Sequence, residues 1–362
     1  MRGGLVPDQR WRISRLGRGG LAVGRLRGRP RGLTVEAFRT AGFARLGSDG
    51  PHTLVIHAEG DWARSIEAGA HVFFTKLMRQ ATARGLTTRV VSAGGATSQL
   101  LLGQEHVHVM VGGAPGYGPN RLHAAPGHLW GFWYLDEVGS GAHSSIRFAR
   151  FSADEVDGEK AEYFFNGVTG YMLRENVSKR PQPARDASLP DPAAAVVFCQ
   201  LIERTGDRLH HLTTEQMVRV AATTAGSRRV YVKPHPDTPR ALRRGLEDMA
   251  AGYRNVVVSD ASVHDLAGAS DVVVTQNSSA GFEALMQKKC VVTCGKSDFW
   301  HATLTPKTED DLRDALLQGR ETMATFPFEK YLYWHLDRMC LEPEKPDFAA
   351  RAWARIRDKA ML

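Results

Sequence analysis

From residue 53 onward, short apolar runs alternate with stretches of helical period. Thr53–Ala58 (TLVIHA), Thr88–Ala93 (TRVVSA) and Val107–Gly112 (VHVMVG) read as strands, with a helix near Glu67–Arg84 between the first two. Continuous rather than alternating apolar strands are those buried on both faces, so the pattern predicts parallel strands joined by crossover helices. The second half repeats the rhythm. Strands are expected at Val196–Gln200, Val230–Lys233, Val256–Ser259, Val272–Gln276 and Cys290–Cys294. The helices between them are expected at Thr213–Thr224, Pro239–Ala251, Val263–Gly268 and Ala280–Gln287. Such an alternation describes a doubly wound α/β domain.

The intervening stretch has another texture. Gly and aromatic residues crowd Leu129–Gly139 (LWGFWYLDEVG), and a more polar helical stretch runs to about Arg174. Lys179–Pro192 (KRPQPARDASLPDP) holds four prolines among charged residues and is read as a linker. The expected organisation is a basic arm over 1–34, an acceptor-side α/β domain over 35–178, the linker 179–192, a second α/β domain over 193–305 and C-terminal helices over 306–362. In those helices Phe326, Phe328, Tyr331, Tyr333 and Trp334 suit packing back across the domain boundary. Two such domains facing each other leave a cleft at the carboxyl ends of their strands, where open α/β sheets place ligands.

Charge alters this picture little. The 362 residues carry a net charge of +8, but residues 1–34 hold nine Arg and one acid, Asp8, while residues 35–362 balance 38 basic against 38 acidic side chains. A nucleic-acid binder shows its excess on the folded domain, so no nucleic-acid partner is expected. The arm reads as a disordered extension, a basic patch for anionic lipid, or the product of an upstream start codon. Arg15, Arg18, Arg25 and Arg27 interrupt every apolar run that a secretory signal would need. The expected location is the cytoplasm, with peripheral contact at the inner membrane through the arm. Cys199, Cys290, Cys294 and Cys340 make neither a disulfide framework nor a zinc site and are read as small buried residues.

Four clusters at strand ends carry the candidate chemistry. In Lys233-Pro234-His235-Pro236 two prolines hold one imidazole at a strand terminus, and Lys233 beside it makes a cationic pair suited to phosphate. Asn277-Ser278-Ser279-Ala280-Gly281-Phe282-Glu283 takes an apolar strand into a helix, a turn that either binds an anion or simply caps the helix. Glu283 falls in the early turns of that helix, within reach of ribose hydroxyls. Gln200 closes its strand and Asp207 lies in the following loop, both read as lining the same cleft. Trp133, Tyr134 and Asp136 set aromatic faces beside a carboxylate, the means to hold an acceptor sugar, with Asp136 as base or nucleophile. The other reading of those aromatics is a core.

Taken in order, Gln200…Asp207, the Lys233–Pro236 turn and Asn277-Ser278-Ser279-x-Gly281-Phe282-Glu283, followed by Lys289-Cys290-Val291-Val292-Thr293-x-Gly295, resemble the bacterial capsular polysaccharide biosynthesis family, whose characterised members include Kdo transferases. The resemblance covers about residues 190–300. It implies a GT-B architecture of two Rossmann-like domains, with a nucleotide-sugar donor held by the C-terminal one. It gives His235, Lys233, Ser278 and Ser279 to the donor phosphate and Glu283 to the ribose. CMP-Kdo becomes the leading donor and a glycan or glycolipid the acceptor. No D-x-D pair follows an apolar strand of the second domain, so no metal and no cofactor is expected. The alternatives are a nucleotide-sugar epimerase or hydrolase of the same fold, and a non-catalytic partner in polysaccharide assembly or export.

Overall fold

The computed structural model describes residues 36–37, 53–186, 188–189 and 192–360. The expected 1–34 arm lies outside them. The chain divides into two compact units after Val111.

The first unit contains β1 (Glu36–Ala37), β2 (Thr53–Ala58), α1 (Gly60–Glu67), α2 (Val72–Ala83), β3 (Thr87–Ser92), α3 (Ala96–Leu102) and β4 (Val107–Val111). Its strands are parallel in the order β1-β3-β2-β4. All six residues of β2 are buried, Thr53 and His57 included, as befits a central strand.

The second unit opens with an antiparallel hairpin, β5 (Arg121–Pro126) and β6 (Trp133–Asp136), in which His123 pairs with Asp136 and Pro126 with Trp133. α4 (Gly158–Arg174) follows. Next come β7 (Ala193–Phe198), α5 (Thr214–Thr224), β8 (Val230–Lys233), α6 (Arg240–Ala251), β9 (Val256–Val258), α7 (Val263–Gly268), β10 (Ser270–Thr275), α8 (Ser279–Ala284) and β11 (Cys290–Thr293). These five strands form one parallel sheet in the order β11-β10-β7-β8-β9. The α/β class with parallel sheets expected from the sequence is therefore present. In the second sheet the order reverses between β7 and β10, which makes their carboxyl ends its topological switch point.

Local sequence explains several of these boundaries. A reciprocal capping box between Thr213 and Gln216 starts α5. α8 packs hard on β10: a Cβ at Gly281 would lie 2.8 Å from Thr275 Cγ2, so only glycine fits. α9 (Glu309–Thr322) approaches β11 in the same way, because a Cβ at Gly319 would meet Cys290 Sγ at 2.9 Å. α10 (Phe328–Leu332) runs into a π-helical segment, Tyr333–Met339, and α11 (Phe348–Ala360) ends the described chain.

The C-terminal elements do pack back on the hairpin. Trp133 and Leu341 exchange backbone hydrogen bonds of 2.8 and 2.9 Å, and Arg355 of α11 donates to the Leu135 carbonyl at 3.1 Å. Residues 112–178 therefore share one core with the C-terminal half, and the division by compactness falls at Val111 rather than at 179–192. Within the expected linker, the Asp186 N–H donates to Asp265 of α7 at 2.7 Å. All four cysteines are free and buried, and burial pushes the Cys199, Cys290 and Cys340 thiols up to about 12. No helix among the described residues is long and apolar enough to cross a membrane.

Candidate functional site

At the switch point the ends of β7 and β10 are tied together. Gln200 Oε1 accepts the Asn277 N–H at 2.8 Å, and Thr275 Oγ1 donates to the Phe198 carbonyl at 3.0 Å. Ser278 caps α8 by accepting the Ala280 N–H at 3.2 Å. A pocket of about 220 Å³ opens here, and among the residues lining it are Gln200, Lys233, His235, Ser278, Ser279 and Glu283. The sequence reading had named all six. The pocket also takes Ser178 and, from the segment read as a linker, Lys179, Arg180 and Gln182. These were missed because charged residues between prolines look like any solvated connection.

His235 is held as the flanking prolines predict. The Asp237 N–H donates to its Nδ1 at 3.2 Å, so the neutral ring carries its proton on Nε2. Burial lowers its pKa, with Arg180 adding to the effect and Asp237 opposing it. Arg180 in turn holds Asp237 at 2.7 Å.

Glu283 is 2% exposed. Its Oε1 accepts from Ser178 Oγ at 2.9 Å and from the Lys179 N–H at 3.4 Å, while Oε2 has no hydrogen-bond partner. Burial raises its pKa to about 7, against the pull of Ser178 and Lys179. The Lys179 ammonium lies 3.5 Å from the Pro126 carbonyl, and loss of hydration lowers its pKa in spite of attraction to Glu283 and Asp298. Cationic groups thus outnumber the single carboxyl, which is itself near neutrality.

Four expectations change in place or in role. Lys233 lines the pocket, but its ammonium donates to the Asp260 and Ala261 carbonyls at 2.9 and 2.7 Å, so it chiefly ties down the turn after β9. Asp207 is exposed, 3.5 Å from His143, and is not part of the pocket. Asp136 is buried and saturated by its own loop. It accepts from the N–H groups of Val138 and Gly139 at 2.8 and 3.0 Å, from the Ser144 hydroxyl at 2.7 Å, and from the N–H and hydroxyl of Ser145. A carboxylate with five donors has no lone pair left to act as base or nucleophile, so its place is structural. Tyr134 is 2% exposed and donates to Asp298 at 2.6 Å, and Trp133 is fixed by its backbone exchange with Leu341. The core reading prevails for Tyr134, whereas Trp133 is only half-buried.

Beneath the pocket lies a cluster that the sequence did not suggest. His128 Nδ1 is 3.0 Å from Ser279 Oγ, and His128 Nε2 is 2.8 Å from Asp298 Oδ1. His335, turned inward by the π-helical segment, places Nε2 3.4 Å from Asp298 Oδ2. Burial alone would raise the Asp298 pKa, but attraction to His128 and His335 and the hydrogen bond from His128 hold it well below the usual carboxylate range. The ligating atoms of His128, Asp298 and His335 fall within 4.8 Å of one another. Around a metal with bonds of about 2.0–2.1 Å, tetrahedral ligand atoms stand roughly 3.3 Å apart. The 2.6 and 2.8 Å contacts of Asp298 to Tyr134 and His128 are hydrogen-bond lengths instead, and they occupy both oxygens. The cluster is a hydrogen-bonded network.

No curated protein matches the chain. Among solved structures, the chain is similar to a Thermosulfurimonas dismutans KpsC, a beta Kdo 2,7 transferase, at 16% identity, covering 73% of this chain and 90% of that one with a TM-score of 0.47. A beta Kdo 2,4 transferase KpsC from the same organism aligns at 18% identity over the same shares, with a TM-score of 0.47. A Methanocaldococcus jannaschii UDP-GlcNAc 2-epimerase aligns at 10% identity over 84% of this chain and 99% of that one, with a TM-score of 0.35. The sequence match is the specific finding: the family described as capsule polysaccharide biosynthesis protein matches residues 206–327. That span includes His235, Ser278, Ser279 and Glu283, so the similarity to this family takes in part of the pocket lining.

Proposed function

We propose that the protein is a glycosyltransferase of capsule or lipopolysaccharide synthesis, moving a sugar from a nucleotide donor to a glycan or glycolipid acceptor in the cytoplasm, with CMP-Kdo as the first donor to test. The observation that supports this most is the pocket at the switch point. Lys179, Arg180, His235, Ser278 and Ser279 surround it, and its one carboxyl belongs to Glu283.

Departure of a nucleotide from a sugar builds negative charge on phosphate. Donors already in place stabilise that charge without reorganising. His235 Nε2–H and the two serine hydroxyls fit this role, and Lys179 and Arg180 supply the positive field. Glu283, whose carboxyl is part of the pocket lining, suits a ribose hydroxyl. The arrangement supplies leaving-group stabilisation from side chains, without a metal. Next to it a cavity of about 370 Å³, which shares Cys199 and Gln200 and is lined by Leu201, Leu242, Leu246 and Met249, offers apolar walls to a planar base.

The test is turnover with and without acceptor. Incubation with CMP-Kdo and a capsule-type acceptor should give a product heavier by one Kdo residue, and His235→Ala should lose at least tenfold in rate while keeping its fold. Donor altered or hydrolysed at the same rate without acceptor would instead identify an epimerase or hydrolase. Glycan binding with no nucleotide affinity would identify an assembly partner.

A further inference from the structure

Among the described residues, Ser279 is the one that belongs both to the pocket and to the buried network beneath it. Its hydroxyl meets His128 Nδ1, whose ring is pinned on the far side by Asp298 and packed between aromatic faces. Phe282 stacks on it at 5.0 Å and Phe299 meets it edge-on at 4.9 Å. Asp298 is fully buried and takes a second hydrogen bond from Tyr134. Groups so enclosed hold their geometry, because a broken bond here leaves a buried polar atom unpaired.

We propose that Asp298 and His128 are positioning residues that act through Ser279, turning its hydroxyl toward the phosphate of a bound nucleotide. This rests on the reading of the pocket as a nucleotide site. Asp298 Oδ1 accepts the His128 Nε2–H. With a proton also on Nδ1, the imidazole donates to Ser279 Oγ and frees the serine O–H to donate to the anion. With Nδ1 bare, the serine spends its proton on the ring and only its lone pairs face the ligand. An anion in the pocket therefore favours the first arrangement, and the carboxylate of Asp298 supports the ring charge that goes with it. His335 and Tyr134 face Asp298 from the other elements packed on it, and Lys179 and Glu283 face the pocket end.

The test compares CMP with cytidine by titration calorimetry on the full chain, since only CMP offers phosphate. Ser279→Ala is expected to weaken CMP about tenfold and leave cytidine unchanged, the loss of one charge-assisted hydrogen bond. His128→Gln reaches Asp298 but not Ser279 and is expected to show the same selective loss. His128→Asn, whose amide stands where Nδ1 stood, should recover part of it. Adding Ser279→Ala to His128→Gln should cost nothing more, because residues acting in series are not additive. Multiplied losses near a hundredfold, or a His128→Gln protein that binds CMP as the unmodified chain does, would overturn the proposal. If neither His128 variant folds, Ser279→Ala still decides: unchanged CMP affinity refutes it. Failure of the unmodified chain to bind CMP, UDP or GDP would overturn the nucleotide reading itself, and the assignment of Asp298 and His128 with it.

Discussion

Glu283 shows what a single residue can reveal about a site. Its carboxyl is buried with one oxygen unpaired, and burial lifts its pKa to about 7 from an ordinary value near 4.5. Between those two values the native state binds more protons than the unfolded chain, so stability falls as pH rises across that window, by on the order of 3 kcal/mol in total. Glu283→Gln mimics the protonated form and should be closer to pH-independent over the same range. Urea midpoints at pH 5 and pH 8 measure this, and an equal decline in both proteins would show that Glu283 is not the group responsible. Asp136 makes the opposite case. With five donors around it, Asp136→Ala should lose on the order of 3 kcal/mol in denaturant titrations while the folded fraction keeps its nucleotide affinity. A stable variant with abolished turnover would restore the catalytic reading. Both residues were visible in the sequence, but only the fold separates them: one lies buried in the pocket lining with His264 Nε2 3.8 Å from its Oε2, the other is spent on its own turn.

At the scale of elements, the second sheet was legible because its strands carry apolar runs, such as Ala193–Phe198 and the three valines of Ser270–Thr275, and the helices between them are capped or periodic. The hairpin β5–β6 was not, since Arg121–Pro126 (RLHAAP) holds few strand-favouring residues and is followed by glycines. The helices α1 and α3 also escaped, being eight and seven residues long. Nor does any periodicity announce the π-helical turn that aims His335. The pocket was half readable for the same reason: residues ending regular strands stood out, while Lys179 and Arg180 in an irregular segment, and His128 beside the hairpin, did not. The contact of α8 with β10 is the joint that sets the serine turn. Gly281→Ala would push a methyl against Thr275 and should destabilise by about 1–3 kcal/mol, read as a fall in melting temperature. Unchanged stability with unchanged affinity would mean that this joint yields more freely than its 2.8 Å approach implies.

For the molecule as a whole, two levels of evidence converge on the second unit. Its strand order creates one switch point, and the capsule polysaccharide biosynthesis match over residues 206–327 covers β10 and α8 on one side of it. The sequence placed the division of the chain at 179–192 because prolines and charges gather there, whereas compactness divides it after Val111, since the hairpin and α4 share a core with the C-terminal half. Charge outside the first 34 residues sums to zero, so the cations of the pocket are a local concentration rather than part of a basic surface. The account stands or falls on whether that concentration binds a nucleotide. The most direct measurement is the melting temperature of the full chain titrated with CMP, UDP, GDP and ADP. A ligand bound only by the folded state adds about 2.7 kcal/mol at a hundred times its Kd. The account predicts a selective rise with CMP that His235→Ala abolishes, and no response to any of the four would contradict it.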